Sequence, residues 1–125
     1  RSSDLANKIL RQAQAAASNL SNFDLSDPAG MTDAKYEQLM QKANSLYSRS
    51  SRLVSKTKRL QAQEESLANK TSLLKAVQTL QGSASSARKF FNANSTEEEE
   101  RLGKSTNSLG QSALVRLSKL KQKLK

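Results

Sequence analysis

Leucine recurs at positions 39, 46, 53, 60, 67 and 74, seven residues apart each time. A heptad of this kind predicts an α-helix with an apolar stripe along one side. With Leu39, Leu46, Leu53, Leu60, Leu67 and Leu74 at d, the a positions hold Ala43, Ser50, Thr57, Glu64 and Thr71. A two-stranded coiled coil wants Val or Ile there. The e positions begin Met40, Tyr47 and Val54, so the stripe reads as broad and centred between d and e. A broad stripe flanked by small residues suits a helix that touches two neighbours in a bundle.

The same periodicity organises the rest of the chain. "SDLANKILRQAQAAASNLSN" places Leu5, Ile9, Ala13, Ala16 and Leu20 at helical spacing, with Ser3 or Asp4 available as N-cap. Residues 1–25 are therefore expected to be an N-terminal helix. Asp27, Pro28 and Gly30 predict a turn over 26–31, and Thr32 or Asp33 can cap the next helix. No Pro or Gly interrupts 32–81, which predicts one long helix of about 75 Å. Gly82 and the serines after it predict a linker over 82–94. "NSTEEEE" reads as a helix start, with Ser95 or Thr96 as cap and Glu97 to Glu100 complementing the helix dipole. A basic helical segment then fills 95–125. No alternating strand pattern occurs, so the fold class is all-α, a long leucine-heptad helix in a bundle or coiled coil with shorter flanking helices.

Composition changes that picture in one respect. Hydrophobic residues are 35% of the chain and aromatics 4%, below the range of ordinary globular domains. So lean a chain is expected to draw much of its burial from seams between helices or from partner subunits. It opens on Arg1 rather than Met, as a fragment or processed product would. No apolar run is long enough for a membrane span.

The formal charge is +10, unevenly spread: zero over 1–30, +5 over 31–81, −2 over 82–100 and +7 over 101–125. An acidic partner is implied. The g positions of the heptad include Lys35, Lys42, Arg49, Lys56 and Lys70, and none is acidic. Together with Arg52 and Arg59, the residues Arg49 and Lys56 form a basic row beside the leucines. In "LGQSALVRLSKLKQKLK", Leu109, Ala113, Leu117, Leu120 and Leu124 form one face and Arg116, Lys119, Lys121 and Lys123 much of the remainder. These eight cations are the candidates for contact with an acidic partner or with phosphate. The six heptad leucines are the candidates for contact with partner subunits.

Chemistry is sparse. There is no Cys and no His, which removes thiol nucleophiles, imidazole acid–base catalysis and the usual zinc ligands. Four consecutive glutamates point around a helix and form neither a facing acid–base pair nor a metal cage. The four glycines make no phosphate-cradling loop. No catalytic, cofactor or metal residue is proposed. Sequons at Asn19, Asn69 and Asn94 would matter only in a secreted chain. A DNA-binding basic zipper does not fit residues 44–52: Leu46 already belongs to the apolar seam, and Tyr47 and Ser48 stand where that family has a pair of alanines.

The expectation is a non-enzymatic scaffolding component. It packs with partner subunits, as a homo- or hetero-oligomer, through its leucines and docks on acidic surfaces through its cations. Sequence-independent nucleic-acid binding is the alternative. A membrane adaptor ranks lower, because the tail's apolar face carries no Trp or Phe.

Overall fold

The computed structural model describes residues 2–63 and 70–123. They form four helices, α1 (Ser2–Ser21), α2 (Asp33–Gln63), α3 (Lys70–Phe90) and α4 (Thr96–Lys123), and one short 3-10 turn at Pro28–Gly30. No strand occurs among the described residues. The chain is an all-α helical bundle.

Local chemistry starts the helices where the sequence places its caps. Thr32 Oγ1 accepts from the N–H of Lys35 at 3.1 Å to open α2. Ser95 Oγ accepts from Glu98 N–H at 3.1 Å to open α4, and a Glu98 carboxylate oxygen reaches back to Asn94 N–H at 3.5 Å. Asp27 caps the 3-10 turn through Gly30 N–H. A side chain at Gly30 would meet the Asp27 carboxylate and push it out of its capping position.

Packing runs α1 against α2 and α4, and α3 against α2 and α4, leaving α2 and α4 at opposite corners. Neighbours are antiparallel. Tyr36 meets Phe91 while Ser51 meets Gln81, which fixes the direction of α2 against α3. Ser86 meets Ser105 while Gly82 meets Leu109, which does the same for α3 against α4. The result is an up-down-up-down four-helix bundle.

Each helix buries a stripe whose steps alternate between three and four residues. On α1 it is Ala6, Ile9, Ala13, Ala16 and Leu20; on α2, Ala43, Leu46, Ser50, Leu53, Thr57 and Leu60. On α3 it is Leu73, Ala76, Leu80, Ser83, Ala87 and Phe90; on α4, Gly103, Thr106, Gly110, Ala113, Leu117 and Leu120. Large residues alternate with small ones, which lets the backbones approach closely and suits the shallow crossing angles of bundles. The buried hydroxyls are satisfied by nearby carbonyls: Ser50 bonds to Tyr47 O, Thr57 to Leu53 O, and Thr106 to Leu102 O.

The close approach is tightest where α4 crosses the end of α1. A Cβ at Gly110 would sit 2.7 Å from Ser21 N and 2.9 Å from the Leu20 carbonyl carbon. One turn away, Asn107 Nδ2 donates to the carbonyls of Leu20 at 3.0 Å, Ser21 at 3.3 Å and Phe23 at 2.9 Å. Leu20 and Ser21 close α1 and Phe23 follows it; the Leu20 carbonyl also accepts from Phe23 N–H at 3.3 Å. The C-terminus of α1 is thus capped by a side chain from α4.

Three expectations are corrected. The single helix over 32–81 is two antiparallel helices, α2 and α3; the connection at 64–69, with Leu67, lies outside the described residues. The buried stripe slips by one residue between them, so that Leu73 is buried and Leu74 only half-buried. The linker over 82–94 is largely helix, since α3 runs through Gly82 to Phe90. The burial of Leu80, Ala84 and Ala87 around Gly82 outweighs the roughly 1 kcal/mol helix penalty of one glycine. The broad stripe on α2 does lie between d and e: the a residues Ala43, Ser50 and Thr57, which fall between them around the helix, are fully buried, with Val54 buried and Met40 and Tyr47 half-buried beside them. Finally, the N-terminal helix ends at Ser21, and Leu5 stands off its stripe, 37% exposed.

Candidate interaction surface

Leu46, Leu53 and Leu60 are buried in the chain's own core, with Leu39 packed half-buried against it. The seam they form is intramolecular. The leucine heptad expected to meet partner subunits is filled by α1 and α3, because a stripe of leucine and small residues is satisfied by any helix bearing the same pattern. The chain therefore builds a core without outside help.

What remains outside is charge. Antiparallel packing gathers the start of α1, the end of α2, the start of α3 and the end of α4 into one half of the bundle. That half carries Lys8 and Arg11, Arg49 to Arg59, Lys75, and Arg116 to Lys123. Among its described residues Asp4 is the one carboxylate; Glu64 and Glu65 lie outside the described residues. The opposite half holds Asp24, Asp27, Asp33, Glu37 and Glu97 to Glu100 alongside six cations. The uneven segments of the sequence thus become a polarity along the bundle axis.

The acidic half is internally neutralised in part. Arg88 stacks on Tyr47 with its guanidinium 4.8 Å from the ring centre, and the Lys42 ammonium stands 5.9 Å from that of Phe23. Lys104 pairs with Glu100 at 3.2 Å, the only ion pair among the described residues, and both side chains are exposed. Asp24 accepts from the Ser26 hydroxyl at 2.7 Å and from its N–H at 3.3 Å. Those two bonds, the hydroxyl's the larger, hold its carboxyl below the usual carboxylate range, with Lys35 adding to the effect.

In the basic half the cations line two troughs. The first lies between α1 and α2, walled by Gln12, Ala15, Arg49, Arg52, Leu53 and Lys56. The second, of about 590 Å³, lies between α3 and α4 and includes Ser72, Lys75, Arg116, Lys119 and Lys123. It continues past Lys75 and Arg116 to Gln78, Thr79 and Gly82. Among the described residues no carboxylate lines either trough. Arg49, Arg52, Arg116, Lys119 and Lys123 are exposed and Lys56 half-buried, as flanking cations should be. Arg59 and Lys121 are exposed but line neither trough.

The structure thus separates the row on α2 from the tail on α4, since the α1/α2 and α3/α4 sides face opposite ways. Sequence reasoning missed Lys75, which joins the tail cations from α3. Its signal is hidden until 32–81 is known to fold back on itself.

Leu5 and Val115 are the exposed large hydrophobics among the described residues. All five aromatic rings are buried or half-buried. No cluster of His, Cys, Asp and Glu fit to hold a metal ion occurs among the described residues, and no helix there is long and apolar enough to cross a membrane. The chain matches no protein-family model, no curated protein sequence and no solved structure.

Proposed function

We propose that this chain is a non-enzymatic helical module that binds duplex nucleic acid through its phosphates, without reading sequence. The carrying observation is the basic half of the bundle. There, among the described residues, exposed Lys and Arg side chains stand without ion-pair partners around two carboxylate-free troughs.

Three other partners suit the surface less well. An interface with a protein subunit draws most of its energy from buried aromatic and apolar anchors. Leu46, Leu53 and Leu60, which could supply them, are inside the bundle. Single strands are held by stacking on exposed aromatics, and the rings of this chain are buried or half-buried. A membrane surface needs a free apolar helix face, but Ala113, Leu117 and Leu120 of the basic tail are packed in the core. Phosphates on a duplex need only point charges at the right spacing.

The test is fluorescence anisotropy with duplexes of unrelated sequence across a salt series. Affinity should be the same for each sequence, and log K should fall with log salt by about 0.9 for each phosphate neutralised. A salt-insensitive affinity, or binding that depends on sequence, would defeat the reading.

A further inference from the structure

We infer that the bundle is bivalent: its two cationic troughs each hold one duplex segment, so that a single chain bridges two duplexes. This rests on the phosphate-binding reading and adds the number and placement of the sites.

The observation is the separation of the troughs. Arg49, Arg52 and Lys56 open onto the side formed by α1 and α2, while Lys75, Arg116, Lys119 and Lys123 open onto the side formed by α3 and α4. In a bundle whose neighbours run α1, α2, α3, α4 and back to α1, those two sides are opposite. Both troughs lie in the basic half.

One duplex cannot serve both. Helix axes about 10 Å apart, each helix about 10 Å across, make the bundle roughly 20 Å thick. Duplex DNA has a persistence length of about 50 nm and does not fold around an object of that thickness. Two segments can be accommodated, because about 20 Å of protein exceeds the Debye length of about 8 Å at physiological salt. The two backbones are then screened from each other, while each lies against its own row of cations. Because both troughs lie in the basic half, bridging occurs at that end of the bundle.

The experiment uses the full chain, two 20-bp duplexes carrying different fluorophores, and two multiple variants. One replaces Arg49, Arg52 and Lys56 by Gln; the other replaces Lys75, Arg116, Lys119 and Lys123 by Gln. Circular dichroism verifies the fold of each, and sedimentation in the absence of DNA shows whether any chain self-associates. Calorimetry should give two duplexes per wild-type chain, and cross-correlation should detect both labels on one particle. Each variant should bind one duplex per chain and lose the cross-correlation. A third variant, Arg49→Lys with Arg52→Lys, should keep the bridging, since point charge is what the trough supplies. Saturation at one duplex per wild-type chain, bridging that survives neutralisation of either trough, or bridging that appears only with self-associated protein would overturn bivalency while leaving the binding reading intact. Failure of the wild type to bind duplex at all, with or without binding to polyglutamate or anionic vesicles, would overturn both.

Discussion

The hydroxyl of Ser83 on α3 donates to the backbone carbonyl of Thr106 on α4 at 2.6 Å. Thr106 turns its own hydroxyl back to Leu102 O at 2.8 Å, so two fully buried polar side chains are satisfied within one turn of helix. The bond fixes the register of α3 against α4 at a point where apolar packing alone would tolerate sliding. Ser83→Ala should cost about 1 kcal/mol, the net value of a typical buried hydrogen bond. Urea denaturation should show it as a lowered midpoint with an unchanged slope.

Two glycines in helix interiors should respond to alanine with opposite signs. At Gly110 the new Cβ meets backbone atoms of Ser21 and Leu20 at 2.7–2.9 Å, and backbone cannot give way as a flexible side chain does. Gly110→Ala should destabilise by about 1–3 kcal/mol through overpacking. At Gly82 the nearest atom is Leu109 Cδ1 at 3.6 Å, an ordinary contact. Gly82→Ala should stabilise by about 0.5–1 kcal/mol through helix propensity. Thermal melts of the two variants check both signs together.

Leu53 is 2% exposed and lies in the middle of the α2 stripe. Leu53→Ala should cost about 2–5 kcal/mol, and the cost should appear in the isolated chain. A loss seen only at high protein concentration would mean that the leucines pack between chains.

Asp24 gives a pH signature. Its carboxyl is held below the usual range, so its folded value lies under its unfolded one. The stabilisation is present above the unfolded value and is lost as pH falls through the folded one. An NMR titration should show an Asp24 midpoint below that of an ordinary aspartate. Ser26→Ala removes the larger cause and should move it up towards the ordinary value.

Much of this bundle is legible in its sequence. The caps at Thr32 and Ser95, the turn at Pro28 and the all-helical class come from local chemistry and periodicity. The reversal between α2 and α3 does not. Leucine stands at 60, 67 and 74 in step, and only the choice of Leu73 over Leu74 for the core shows that the stripe has changed register. That choice is made by the neighbouring helix, not by the residues themselves. The same limit governs the surface. Arg49, Arg52, Lys56 and the tail cations can be picked out as exposed charge, whereas their distribution over opposite sides, and the addition of Lys75 to one of them, depends on the fold-back. Gly103 and Gly110 look like weak points in a helix until the approach of Leu25 and Leu20 is seen.

Asn107 holds the end of α1 from more than eighty positions further along the chain. During synthesis from the N-terminus, α2 and α3 can close on each other as soon as both have left the ribosome. The first helix, although made earlier, must wait for α4 before the carbonyls of Leu20, Ser21 and Phe23 gain the Asn107 amide. Closing so long a loop is slow compared with pairing adjacent helices. The order of synthesis and the order of completion are therefore reversed for α1, and a nascent chain halted before Asn107 lacks that cross-helix cap.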